Sequence, residues 1–237
     1  MARPRYLVVV AAGSGHRMGG DIPKQFLPLD GRVILQRTID VFRQAVPGIK
    51  VVTVLASEWC PYWRDLCAQH RFFYPQVFVG GGLTRFHSVQ NALAQIPDDA
   101  IVAVHDGVRP LLSQELVRSL FDRAETVDGV IPCLPAVDTL RCLQMQDGIL
   151  RSNGKLLPSR SEMYAVQTPQ IFDAALLKEA YTLPFEPVFT DDASVVERYI
   201  RQQGLSKTID YVPGERDNIK LTTPEDLRLA EAILKTR

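Results

Sequence analysis

Residues Leu7 to Gly31 read LVVVAAGSGHRMGGDIPKQFLPLDG, and the apolar run at the head of this stretch decides the fold. The segment YLVVVAA (6–12) shows no alternation of apolar and polar residues. A strand of that kind needs cover on both faces, which is the condition of a strand inside a parallel sheet. The run breaks into a loop holding Gly13, Gly15, Gly19 and Gly20, with Arg17 and Lys24 seven residues apart and Asp21 the single acid before Asp30. Glycines let backbone N–H groups close around an anion, and the two cations would flank it. The loop is neither GxGxxG nor a Walker A sequence, so no standard dinucleotide or P-loop site is indicated. It reads either as a seat for a phosphate or as a strand-to-helix turn with solvated charges.

Outward from this stretch, apolar runs alternate with helix-period segments. Strands are expected at 49–57, 76–82, 100–110 and 129–143, the last broken by prolines. Helices are expected at 33–45, after Pro61 within 58–70, at 88–96 and at 113–126, with Ser113 as an N-cap. This order argues for an α/β fold, a doubly wound and mostly parallel sheet, in one domain over 1–237. Residues 138–160 depart from it. Turn signals at Asp147-Gly148 and Asn153-Gly154 between weakly alternating segments read as an inserted β-hairpin. Such a hairpin has little core of its own. It could cover a neighbouring lobe, embrace a second subunit, or be a surface flap.

Lys+Arg and Asp+Glu are both 27, so the chain is close to neutral and does not have the basic excess of a protein that coats nucleic acid or an anionic membrane. An anion site here would be local. No apolar run approaches 18 residues and no basic segment precedes an apolar one, so neither a membrane span nor a signal peptide is expected. Cys60, Cys67, Cys133 and Cys142 lack CxxC spacing and read as reduced thiols of a cytoplasmic protein.

Ligands of α/β sheets bind beyond the carboxyl ends of the strands. Three further polar turns follow strands. In GGGLTRFHSV (80–89), glycines and a Ser88 opening a helix suit close approach to a flat base, or simply a tight turn. VHDGVRP (104–110) delivers Asp106 and Arg109 together; they could serve a metal, a hydroxyl or a phosphate, or form a helix-capping pair. DNIKLTTPEDL (217–227) places Lys220 in a short strand before a helix whose first residue is Pro224. The four histidines are scattered without metal spacing, and no GxSxG elbow is present.

Taken together, AAGSGHRM…PKQFLPLDG, GGGLTRFHSV, VHDGVRP, Asp138-Thr139, Arg160 with YAVQTPQIF (164–172), FTDDAS (189–194) and DNIKLTTPEDL resemble, in order and spacing, the 2-C-methyl-D-erythritol 4-phosphate cytidylyltransferases. The resemblance runs from residue 6 to residue 234 and implies a Rossmann-like nucleotidyltransferase sheet with an inserted hairpin arm at about 138–160. It implies transfer of CMP from CTP to a small polyol phosphate, with Mg²⁺ as cofactor and no nucleic-acid or membrane partner. By resemblance, Arg17, Lys24 and Lys220 are catalytic. Ala11, Ala12, Gly13, Ser14, Gly15, Gly81, Gly82, Ser88, Asp106 and Gly107 would bind CTP. Asp106, Arg109, Thr139, Arg160, Thr168, Asp217 and Lys220 would bind the acceptor, with Asp106 near the metal. The arm implies a homodimer. The run SRSEMYAVQTPQ (159–170) leans instead towards ribitol-5-phosphate cytidylyltransferase, so D-ribitol 5-phosphate stays open as the acceptor. A non-catalytic nucleotide-binding module on the same fold is the alternative from another class.

Overall fold

In a computed structural model of the chain, residues 3–13 and 22–237 are described. In chain order the elements are β1 (Arg5–Val10), β2 (Pro28–Leu29), β3 (Arg32–Val33), α1 (Ile34–Ala45), β4 (Lys50–Leu55), α2 (Cys60–Gln69), β5 (Gln76–Gly80), α3 (Arg85–Leu93), β6 (Ile101–Asp106) and α4 (Gln114–Arg123). They continue with β7 (Gly129–Pro135), β8 (Leu143–Gln146), β9 (Ile149–Ser152), β10 (Tyr164–Val166), β11 (Gln170–Asp173), α5 (Ala174–Ala180), α6 (Asp192–Gln203), β12 (Ile209–Pro213) and α7 (Pro224–Lys235). The main sheet runs β10-β7-β11-β6-β1-β4-β5, with β12 also paired to β7. β6, β1, β4 and β5 run parallel to one another, and β12 is parallel to β7. β10 and β11 are the antiparallel members.

The unbroken apolar runs work as strands covered on both faces. Leu7 and Val9 enter one core cluster with α1 and α4, while Tyr6 and Val8 enter the other with α3, α5 and α6. Ile101 and Ala103 divide from Val102 and Val104 in the same way. The side-chain period of two is therefore present, and the sequence hides it because both phases are apolar. Each fully buried Val or Leu in these strands contributes ~1.5–3 kcal/mol.

A third, smaller cluster of Leu29, Ile34, Val108, Leu111, Leu221 and Ala230 ties the β2–β3 turn, α1 and α7 to the segment after β6. It corrects one expectation. Lys220 is not in a strand: no strand covers 217–222, and beside Lys220 the backbone is tied by Leu221 N–H to the Val108 carbonyl, with Leu221 fully buried beneath it. The burial of Leu221, not a ladder, fixes Lys220. The hairpin is present as β8 and β9, joined at Asp147-Gly148 with both φ values positive, the conformation a two-residue hairpin turn needs.

Candidate active site

The parallel strands end together. The register brings Val10 opposite Asp106 and Val54, and Leu55 opposite Gly80. Backbone bonds carry the chain past these ends: Ala11 N–H to the Val54 carbonyl, Gly81 N–H to Leu55, and Gly107 N–H to Val10. The result is a cleft of about 410 Å³, lined by Val10 to Gly13, Lys24, Gln25, Gly82 to Arg85, Ser88, Asp106, Val108 and Lys220. Of the expected residues, the structure brings Ala11, Ala12, Gly13, Lys24, Gly82, Ser88, Asp106 and Lys220 to one wall or another of this cleft. Ser14, Gly15 and Arg17 lie outside the described residues.

The glycines serve packing. A Cβ on Gly81 would come within 2.5 Å of the Ala12 Cβ, and one on Gly107 within 2.9 Å of the Ala11 Cβ. Neither glycine lines the cleft; both let the end of β1 sit tight against its neighbours. Ser88 does not open its helix. Thr84 is the N-cap, accepting from His87 N–H, and α3 begins at Arg85. The Ser88 hydroxyl donates to the Thr84 carbonyl and accepts from Gly82 N–H, so it braces the turn that forms the cleft rim.

Asp106 is the charge centre. Its Oδ2 lies 3.1 Å from Arg109 Nε and 3.0 Å from Lys220 Nζ, and its Oδ1 lies 3.8 Å from Arg85 Nε. Burial by itself would raise this carboxyl; Arg85, Lys220 and Arg109 outweigh it and hold Asp106 well below the usual carboxylate range. Arg85 escaped the sequence reading. Its other edge makes two bonds, 3.0 and 2.6 Å, to Asp192, which is fully buried at the start of α6 and also accepts from the Tyr181 hydroxyl at 2.6 Å. No local signal in TRFHS announces a carboxylate on FTDDAS more than a hundred residues away.

A second network sits behind Asp106. The Thr168 hydroxyl accepts from Asp106 N–H at 3.1 Å and contacts His105 Nδ1 at 3.0 Å. The Arg109 carbonyl at Nε2 can only accept, so the neutral ring carries its proton there, and the Thr168 hydroxyl donates to Nδ1. His105 Nε2–H then donates to the Arg109 carbonyl at 3.1 Å. Burial pushes His105 down to about 4, so the ring is neutral near pH 7. This corrects the expectation for Thr168: at 5% exposure its hydroxyl is spent on holding the Asp106 backbone and does not face an acceptor. Gln167 and Asn218, also missed, bind the neighbouring segment. Gln167 Nε2 donates to the Glu215 carbonyl and its Oε1 accepts from Glu215 N–H; Asn218 Nδ2 donates to the Thr168 carbonyl, and the Asn218 carbonyl accepts from Arg109 Nη1.

Three other expected residues lie elsewhere. Asp217 is half exposed, pairs with Arg237 at 3.1 Å and does not line the cleft. Thr139 and Arg160 line a separate cavity of about 520 Å³ beside the hairpin, which shares no residue with the cleft.

The chain matches the family model described as IspD, 2-C-methyl-D-erythritol 4-phosphate cytidylyltransferase, over residues 6–236. A 2-C-methyl-D-erythritol 4-phosphate cytidylyltransferase of Phocaeicola vulgatus is 43% identical over 230 residues, 97% of this chain and 99% of its own. One from Porphyromonas gingivalis is 43% identical over 234 residues, 99% of each. Among solved structures, the 4-diphosphocytidyl-2C-methyl-D-erythritol synthase of Anaerococcus prevotii matches with a TM-score of 0.77 at 27% identity, covering 98% of this chain and 96% of that one. The cytidylyltransferase of Thermus thermophilus matches with a TM-score of 0.69 at 31% identity, covering 99% and 100%.

Proposed function

The chain belongs to the 2-C-methyl-D-erythritol 4-phosphate cytidylyltransferases, and from that membership we infer how its cleft transfers CMP from CTP to 2-C-methyl-D-erythritol 4-phosphate. The products are 4-diphosphocytidyl-2-C-methyl-D-erythritol and pyrophosphate, in isoprenoid biosynthesis. One observation carries the assignment of the cleft. Lys24, Lys220 and Arg85 line the same small cavity around a buried carboxylate, at the carboxyl ends of parallel strands.

An oxygen of the acceptor phosphate attacks the α-phosphorus of CTP, a P–O bond forms, and the bond to the β-phosphate oxygen breaks. The nucleophile is already an anion, so no side chain has to remove a proton. The barrier is charge repulsion and alignment, and the chain answers it with fixed cations. Lys24 holds the triphosphate through attack and departure, and Arg17 is assigned the same task from its place in the sequence. Lys220 lines the cleft and meets the incoming phosphate, preset by its bond to Asp106, while Arg109, outside the cleft lining, holds Asp106 and the Asn218 carbonyl and adds positive charge from behind. Asp106 keeps these cations in place and faces the acceptor.

The residues present fit a magnesium ion. Among the described residues no group of three or more His, Cys, Asp or Glu side chains could cage a metal. Mg²⁺ is commonly held by one or two carboxylates together with substrate phosphates and water. Asp106 Oδ1, which lies 3.8 Å from Arg85 Nε while Oδ2 takes the close contacts with Arg109 and Lys220, is the oxygen that would take it. When bound, the ion would neutralise phosphate charge and fix the triphosphate geometry.

The homodimer is part of the same proposal. Every residue of β8 and β9 is exposed, including Met145, Ile149 and Leu150, and Leu156 beside them is 98% exposed. An apolar face of that kind calls for cover. Thr139 and Arg160, remote from the cleft of their own subunit, are then available to the cleft of a partner. Four cysteines without disulfides support a cytoplasmic place of action. Among the described residues no helix is long and apolar enough to cross a membrane.

The test is release of pyrophosphate from CTP and Mg²⁺ with 2-C-methyl-D-erythritol 4-phosphate and D-ribitol 5-phosphate offered in parallel. Release is expected with the first alone. Release with the second alone moves the acceptor to the ribitol branch, and none with either returns the chain to a nucleotide-binding module.

A further inference from the structure

Lys24 stands on a 3-10 turn of three residues, Lys24–Phe26, closed by Phe26 N–H to the Pro23 carbonyl and by Leu27 N–H to the Lys24 carbonyl. At three residues per turn, consecutive side chains leave such a turn about 120° apart. Each of the three finds a different environment. Lys24 lines the cleft, while Phe26 enters an aromatic cluster against Trp59, Tyr62 and Trp63, with ring centroids 5.8, 5.4 and 6.0 Å away. Gln25 is 3% exposed, and its Nε2 donates to the Ala11 carbonyl at 2.7 Å and to the Gly13 carbonyl at 3.2 Å.

Both hydrogens of this amide are therefore spent on the backbone that leaves β1. An amide has two donors to give; Glu would give none, Met none, and Asn is one methylene too short to reach both. The two carbonyls so held flank Ala12 and Gly13, which line the cleft where negative charge is to be received. A carbonyl oxygen swung into that space would set a negative dipole end against a phosphate oxygen.

We propose that Gln25 is a positioning residue of this cleft: by clamping the Ala11 and Gly13 carbonyls to the Lys24 turn, it sets the separation between the end of β1 and the Lys24 ammonium. The proposal deepens the reading above and rests on Lys24 being a triphosphate contact. Gln25 reaches the cleft wall with both amide hydrogens already spent on the backbone. It acts through Lys24 and through the carbonyls it holds.

The experiment is a double-mutant cycle on the full chain, with kcat, KM for CTP, KM for 2-C-methyl-D-erythritol 4-phosphate and the thermal midpoint measured for Gln25→Met, Lys24→Ala and the pair. Gln25→Met is expected to lower kcat/KM for CTP by ~10-fold or more, the scale of two lost hydrogen bonds. KM for the acceptor should stay within ~2-fold. In the Lys24→Ala background the further loss from Gln25→Met should shrink to ~2-fold or less. Equal losses in both backgrounds, or no loss in either, would overturn the proposal, because a merely structural glutamine multiplies independently of Lys24. If Gln25→Met does not fold, Gln25→Asn takes its place, with a smaller loss expected and the same non-additivity required. Should Lys24→Ala alone keep wild-type kcat, the assignment of Lys24 falls and takes the proposal with it. A deficient Lys24→Ala with fully multiplicative losses removes the Gln25 proposal alone.

Discussion

Thr168 shows how far residue identity travels. The family resemblance puts Thr168, within Gln167-Thr168-Pro169-Gln170, among the acceptor contacts, and its hydroxyl is occupied on both sides by Asp106 N–H and His105 Nδ1. Residue types were legible: Lys24, Asp106 and Lys220 line one cleft, and Asp106 is there because it ends a buried strand. Partners were not. Arg85 finds Asp192 and Gln25 finds Ala11 only after the chain has folded, and no spacing encodes those meetings. At this scale we predict that Thr168→Val, which keeps the shape and deletes the hydroxyl, costs ~1–3 kcal/mol by leaving Asp106 N–H and His105 Nδ1 unpaired. It should also raise KM for the acceptor more than KM for CTP. Thr168→Ser should recover most of both losses. A Val variant with unchanged unfolding free energy would show the bonds to be incidental.

At the scale of elements, β1, β4 and β6 were legible from composition alone, because a strand buried on both faces is written as a solid apolar run. The segment carrying Lys220 was not, since a single buried leucine in an irregular stretch looks like a short strand. The helix after it is well signalled: Thr223 caps α7 and Pro224 occupies its first turn. Asp226 closes that cap, accepting from the N–H groups of Thr222 and Thr223 at 2.7 and 2.8 Å and from the Thr222 hydroxyl at 2.7 Å. Burial would raise its carboxyl, and these hydrogen bonds more than reverse it, so its folded value is depressed below the model-compound 3.8. A depressed carboxyl stabilises the fold above its unfolded value and loses that contribution as pH falls through the folded one. Asp226→Asn should cost ~0.5–2 kcal/mol at pH 7. In urea titrations the gap between wild type and variant should narrow below about pH 4 and close at lower pH. A gap that does not change with pH would assign the cost to shape and not to charge.

For the molecule as a whole, the mostly parallel sheet and the inserted hairpin followed from element alternation and the turn signals at Asp147-Gly148 and Asn153-Gly154, whereas the strand order with its antiparallel β10 and β11 did not. On the proposed reading the hairpin covers a second copy of the chain. Replacing 138–160 by a short linker should give a folded monomer by sedimentation equilibrium, with acceptor turnover reduced by ~10²-fold or more and CTP affinity retained. Met145→Asp paired with Leu150→Asp, on the exposed strands, should weaken association in the same direction. A fully active monomer would remove the shared-site reading and leave the chemistry of the cleft standing.

The small cluster joining Leu221 and Ala230 to Val108 and Ile34 has a consequence for biosynthesis. Strands β1, β4, β5 and β6 can pair with one another while the ribosome is still translating, since all four lie in the first half of the chain, although β6 gains its second neighbour, β11, only later. Lys220 comes into register only when Leu221 settles against Val108 and α7 closes over it. A nascent chain short of α7 therefore has Asp106 with Arg85 and Arg109 but without its third cation. The parallel β6-β1-β4-β5 part of the sheet is available early in synthesis, and the ability to neutralise an incoming phosphate arrives with the last helix.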